Sequence, residues 1–553
     1  MLDILIRNGR IVDGTGAPAF PGDLGIRDGR LEAVGGSLDT PARTEIDARG
    51  QVVAPGFIDP HTHLDAQLLW DGQARPSLEH GVTTVVHGNC SLSLAPLKAE
   101  HRSKLVSMFQ QIEEMPPAAF QGAFEWTWEG FADYVAALRG RLAINVAPLA
   151  GHSVIRLWVM GPDAQKRAAT ADEIRAMQHL LRECLAAGAV GLSTSYVDVD
   201  ENLFPVPSRF AHLEELDALA AVLGEFGRML QVVPEFYDTD LTLARVDQLA
   251  ELSLAHEIPT TFSPLFDSSA FPANVPRVLA RVAEQVARGA RVWPQVQTRP
   301  IDISFSLDQA SLLFVTMPIW YLVMRMPRDQ KIATLRNPGT REGLVKAAEP
   351  GGDVSRFAKL RIRDSRNPAW IGRSLGEIAA ERGSTPVQAM IDLSLEEDLQ
   401  VHFLSASMGH EDPSRVGPAL ANDLVHVGAS DAGAHIQSFA TSGDTGYLLS
   451  EFVRKGGHLS LEHAVRKITG DTARIWGLPD RGVLRPGSAA DVVVFDPETI
   501  GRGEEVPVRD MPGGGMRYVR SASGIDTVLV NGEVVYTRAG GYTDAHTGVL
   551  ATA

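Results

Sequence analysis

Cysteine is almost absent from this chain, with two in 553 residues, Cys90 and Cys184. A disulfide framework is therefore excluded, and a reducing compartment, the cytoplasm, is expected. Long hydrophobic runs are also missing. The longest, LLFVTMPIWYLVM (312–324), is shorter than a bilayer requires and is interrupted by Pro318. The opening MLDILIRNGR carries charges and no apolar core, which argues against a secretory signal. Basic residues are outnumbered 51 to 68, a net charge of −17. So acidic a chain is not expected to bind nucleic acid or an anionic membrane non-specifically. No glycine-rich dinucleotide fingerprint follows the early strands, and there is no internal repeat or low-complexity segment.

What is present reads as a large α/β protein between two β-rich ends. IRNGRIVDG and IRDGRLEAVGG place Asn-Gly and Asp-Gly between apolar alternations, a strong hairpin cue, and DTVLVNGEVVYT repeats it near the C-terminus. The two ends are expected to pair into one sheet. Between them, apolar strand candidates end near Ile58, His87, Leu149, Thr194, Glu235, Leu265, Val296 and Ser430, mostly separated by helical stretches. One helix is plain: Thr170 and Glu173 have capping-box spacing, Ile174, Met177, Leu181, Cys184 and Leu185 follow helical periodicity, and Gly188 stands at the stop. Eight strands alternating with helices favour a (β/α)₈ TIM barrel over an open sheet. The expected organisation is a β-sandwich from residues 1–54 and 480–553, flanking a barrel over 55–479 with an excursion at about 300–400.

In such a barrel, functional groups gather where strands end. The motif DPHTHLD (59–65) follows the apolar VVAPGFI, and extended geometry points His61 and His63 the same way, toward a shared ion. The alternative reading has one imidazole ordering a turn and the other in water. Strand eight of a closed barrel neighbours strand one, which would bring Asp431 beside this pair as a metal ligand and proton acceptor, or leave it as a helix cap. Cys184 lies on an apolar helix stripe and reads as core.

APGFIDPHTH, GVTTVVHGNCS, GASDAGAH and RGVLRPGSAADVVVFD, in that order, resemble the amidohydrolase superfamily, and within it the N-acyl-D-amino-acid deacylase group. The similarity spans nearly the whole chain. It implies a metal-bearing barrel, a β-sandwich built from both termini and hydrolysis of amide bonds. His61 and His63 match the strand-one metal pair, Cys90 the cysteine ligand, Asp431 the strand-eight acid/base, and His152 in APLAGHSVIR a positional Gly-His motif. Cys90 as a small buried filler is the competing account.

The chain also departs from that pattern. Relatives carry histidines at the ends of strands five and six, where this chain reads QVVPEFYD and TTFSPLF. No lysine stands in GLSTSYVD, which argues against a carbamylated bridge. Glu235 is the acid available near the strand-five end, as a ligand or a loop anchor. His87 reads as a neighbour of the ligands, His435 and His410 as substrate contacts or surface residues, and Arg299 as a clamp for a substrate carboxylate. The expected activity is metal-dependent hydrolysis of an N-acyl (D-)amino acid or related amide with an apolar portion, with Zn²⁺ first among divalent ions. The substrate is a small molecule, and homo-oligomerisation is left open. Rival readings are another bond (lactone, cyclic amide or imide) or a metal-depleted scaffold of the same fold.

Overall fold

The computed structural model describes every residue except 309, 310, 315, 316, 407, 429, 479 and 553, and the side chain of 312. Its centre is an eight-stranded parallel sheet formed by Phe57–Thr62, Val82–His87, Asn145–Gly151, Gly191–Ser195, Met229–Val233, Thr260–Phe262, Val292–Val296 and His426–Val427, adjacent in that same order. Every residue of the first five strands is buried. That burial explains their near-continuous apolar sequences, since a parallel sheet is covered on both faces. The sheet curls until its edges meet. Beyond the eighth strand, Asp431 N–H donates to His61 O at 3.1 Å and His63 N–H to Ala432 O at 2.7 Å.

Strand boundaries differ from expectation in instructive ways. The first strand continues past Ile58 to Thr62, because Thr62 pairs with His87 on the second. The fifth stops at Val233, before Pro234, which has no N–H for the ladder. The eighth is a two-residue strand, His426–Val427, rather than one reaching Ser430. Ala429, within that expected span, lies outside the described residues.

Strands from both chain ends share a nine-stranded sheet, where Val52–Pro55 pairs antiparallel with Val492–Phe495. Asp28-Gly29 and Asn531-Gly532 make the expected hairpin turns, both residues of each pair at positive φ. Asn8-Gly9 does not. The strand runs unbroken from Leu2 to Ile11, and Asn8 (φ 60°) marks a bulge whose N–H is held by Asp23 Oδ1 at 2.9 Å.

The chain divides into two compact units, 1–299 with 412–436 and 440–553, and 300–411 with 437–439. The second unit, taken alone, has a three-stranded sheet (Ile303–Phe305, His402–Ser405, Arg361–Asp364) and its own hydrophobic core. Leu313, Phe314, Met317, Trp320, Val323 and Met324 belong to that core. Much of the apolar run at 312–324 is thus interior to this unit, while Ile319 and Leu322 are exposed. Val315 and Thr316 of the run lie outside the described residues. Among the described residues, no helix is long and apolar enough to cross a membrane.

Candidate metal centre

His61 is the penultimate residue of the first strand and His63 follows it, and both are buried to about 1% exposure. Cys90 arrives from the loop after the second strand. Its Sγ lies 3.5 Å from His61 Nε2 and 3.7 Å from His63 Nε2. Asp431 Oδ1 lies 3.3 Å from His61 Nε2 and 4.0 Å from His63 Nε2. Ligands placed tetrahedrally at zinc-like bond lengths stand about 3.3–3.6 Å apart. The spacing therefore suits an ion among His61, His63 and Cys90, with Asp431 beside them.

The protonation chemistry agrees. Thr261 Oγ donates to Trp293 O at 2.8 Å, so it accepts from Gln295 Nε2 at 3.2 Å. Gln295 Oε1 is thereby turned toward His61 Nδ1 at 3.1 Å, where it accepts a hydrogen bond from the ring N–H. The second nitrogen, Nε2, is left with its lone pair facing the cluster. His63 Nδ1 faces Glu113 Oε1 at 3.0 Å, which turns its Nε2 to the same place.

Electrostatics record the crowding. Burial, then His63, pulls the His61 imidazolium down to about 3. For His63, burial works against the charge, but Glu113 outweighs it and lifts the ring to about 9. Burial, then Asp198, Glu113 and Asp431, pushes the Cys90 thiol up. An ion bound here must displace protons from both residues, the ordinary coupling of metal binding to acidity. Burial raises Asp431 as well, opposed by His63, His435 and Arg299.

The other sequence candidates fall in varied places. Glu235 is not brought into the cluster. Its carboxylate is engaged by Arg245, with Nη2 2.7 Å from Oε1 and Nε 3.2 Å from Oε2, so a cation already satisfies it. His152 is fully buried and spans Thr194 Oγ (2.9 Å) and Glu215 Oε1 (2.8 Å), which leaves it no ring nitrogen for a substrate. Arg299, the expected clamp, is 3% exposed and turned inward to Asp444 (3.0 Å) and the Ser430 carbonyl (2.5 Å). His435 is half-buried, its imidazolium brought down to about 4 by burial with Asp431 acting against it. His87 pairs with Asp65 at 3.2 Å, and Asp65 also accepts from Gly88 N–H at 3.1 Å at the start of the Cys90 loop. His410 belongs to the second compact unit.

Glu113 and Gln295 escaped the sequence reading. Glu113 is the C-cap of the helix Arg102–Ile112, where the helix dipole disfavours a carboxylate, and it is 1% exposed. No spacing rule links it to His63. Gln295 left a faint signal, an amide in the middle of a buried strand.

The amidohydrolase family's sequence pattern matches residues 44–251 and 352–536. A D-aminoacylase of Alcaligenes xylosoxydans xylosoxydans is 30% identical over 559 residues, covering 99% of this chain and 97% of the relative. Among solved structures, a D-aminoacylase with a binuclear metal centre, activated by one metal and attenuated by a second, is similar at a TM-score of 0.70. It is 29% identical, with full coverage of both chains. An N-acyl-D-glutamate deacylase from Bordetella bronchiseptica, complexed with zinc and a phosphonate mimic of the tetrahedral intermediate, matches at 0.70 and 29%, covering 100% of each chain.

Proposed function

Because the chain belongs to the amidohydrolase family, we propose that it hydrolyses the amide bond of an N-acyl D-amino acid or a related amide with an apolar portion, using one tightly held divalent ion, zinc first among candidates. The observation that carries this reading is the convergence of His61, His63 and Cys90, with ligand atoms all within 4.8 Å of one another, beside Asp431. We read the fold as a (β/α)₈ barrel, with the strands of both termini as its β-sandwich companion.

His61 and His63 would hold the ion through Nε2 and Cys90 through Sγ, with Asp431 beside them as the base. Bound there, a divalent ion makes water a nucleophile near neutral pH and polarises the scissile carbonyl. Gln295 and Glu113 keep the two rings from rotating away. Asp431 takes the attacking water's proton and delivers it to the leaving amine, since its carboxylate is the accessible base of the cluster, with a quarter of its side chain exposed. The missing strand-five and strand-six histidines argue for a weak or vacant second position.

The apolar portion finds support in exposed aromatics on loops after the fourth, fifth and sixth strands. These are Phe204, Tyr237 and Phe271, at 49, 56 and 53% exposure. They belong to the end of the sheet that carries the cluster.

The test pairs metal analysis of the purified protein with kcat/KM for N-acyl amino acids of both configurations and increasing acyl length. About one divalent ion per chain is expected, with a rise of about 0.8 kcal/mol in transition-state binding per methylene until the pocket fills. Absence of metal together with activity that survives chelation would overturn the assignment, as would no turnover of any amide. A profile flat in acyl length would remove the apolar portion.

A further inference from the structure

Asp431 is held at φ +58°, a left-handed conformation that aspartate adopts more readily than most residues and that surrounding contacts fix here. The enforcing contacts can be followed group by group. Asp431 N–H donates to His61 O at 3.1 Å, and Ala434 N–H donates to Asp431 O at 2.7 Å. Ala432 N–H donates to Ser430 Oγ at 3.0 Å, while the Ser430 hydroxyl donates to the Asp59 carboxylate. The Ser430 carbonyl, one peptide before Asp431, accepts from Arg299 Nη2 at 2.5 Å. Arg299 is itself anchored, with Nε 3.0 Å from Asp444 Oδ1. Asp444 Oδ2 in turn accepts from the Thr298 N–H at 3.3 Å and the Thr298 hydroxyl at 3.1 Å. A planar guanidinium suits this task, because one rigid group serves an acid along one edge and a carbonyl along another.

We propose that Arg299, fixed by Asp444, is a positioning residue that keeps the Asp431 carboxylate against the His61–His63–Cys90 cluster. This rests on the proposed role of Asp431 beside that cluster. Arg299 touches no substrate; it acts through the Ser430–Asp431 turn.

The test uses the full chain loaded with Co²⁺. Its thiolate charge-transfer band reports Cys90, and its d–d envelope reports the remaining ligands. The informative variant is the double substitution Arg299→Met with Asp444→Leu, which removes both charges and orphans neither. Arg299→Lys with Asp444 intact, which keeps the charge but loses the fork that reaches the Ser430 carbonyl, serves should the double variant fail to fold. The expected result is wild-type cobalt content and charge-transfer band, a shifted d–d envelope, and kcat lowered about tenfold to a hundredfold with KM little changed. Adding Asp431→Asn should then cost far less than it does in the wild type, because the two changes act through one carboxylate. A folded variant with the wild-type envelope and kcat would overturn the proposal, as would loss of cobalt and the charge-transfer band together. If the wild-type chain hydrolyses no amide, the proposed function falls, and the spectral comparison still decides the role of Arg299.

Discussion

Glu113 shows how much a metal site depends on residues that never touch the ion. Its carboxylate stands at the wrong end of a helix dipole and out of water, and the His63 ring, its Nδ1 3.0 Å from Glu113 Oε1, is what compensates it. Glu113→Ala is expected to weaken metal affinity by about 10- to 100-fold, measured by competition with a chromogenic chelator. Glu113→Gln should lose less, since an amide oxygen still accepts from the ring. Equal affinity in all three proteins would show that His63 needs no orienting partner. Asp431 makes a complementary prediction. Asp431→Asn keeps an oxygen donor but no base, so the ion should remain while turnover falls at least roughly a hundredfold. Normal turnover in a metal-loaded Asp431→Asn would reduce this aspartate to a turn residue.

The helix Ala171–Ala186 illustrates local order written in sequence. Thr170 Oγ accepts from Glu173 N–H at 3.3 Å, and Glu173 Oε2 accepts from Thr170 N–H at 2.7 Å, which satisfies two donors the first turn would otherwise leave open. Thr170→Ala should destabilise the fold by about 1 kcal/mol, read as a lower denaturant midpoint. The box also has a pH signature. Arg167, then Thr170 N–H, holds Glu173 down at about 2, below the carboxylate value of 4.5. A depressed acid contributes stability above its unfolded pKa, and that contribution is lost as pH falls from about 4.5 toward 2. The gap in midpoint between Thr170→Ala and wild type should therefore narrow in that window. A gap independent of pH would mean that the Thr170 hydroxyl does not donate to the Glu173 carboxylate.

At the scale of the whole chain, the interruption after Arg299 is a second compact unit with a core of its own rather than a long loop. Trp320 is fully buried there, stacked on Phe314 at 4.9 Å, its indole N–H donating to Leu344 O at 2.9 Å. Trp320→Ala is expected to cost that unit about 3–5 kcal/mol through lost contacts and a cavity. Hydrogen exchange should show faster exchange in peptides from 300–411, while those from the eight-stranded parallel sheet keep their protection. Uniform loss across both regions would mean that the two units unfold as one.

Local periodicity and turn chemistry can be read directly from the order of residues. The capping box at Thr170, the turns at Asp28-Gly29 and Asn531-Gly532, and the buried apolar strands are all legible, because neighbours in the chain suffice to specify them. The likeness of widely separated motifs to a known family carried His61, His63, Cys90 and Asp431 as candidates. Which polar groups meet depends on packing between distant parts of the chain. That packing turned Asn8-Gly9 into a bulge because Asp23 was there to hold it. It gave Glu235 to Arg245, closed His152 between Thr194 and Glu215, turned Arg299 inward, and brought Glu113 and Gln295 to the two rings. The physical reason is the same in each case. A buried polar group must find a partner, and long-range packing decides which group is within reach.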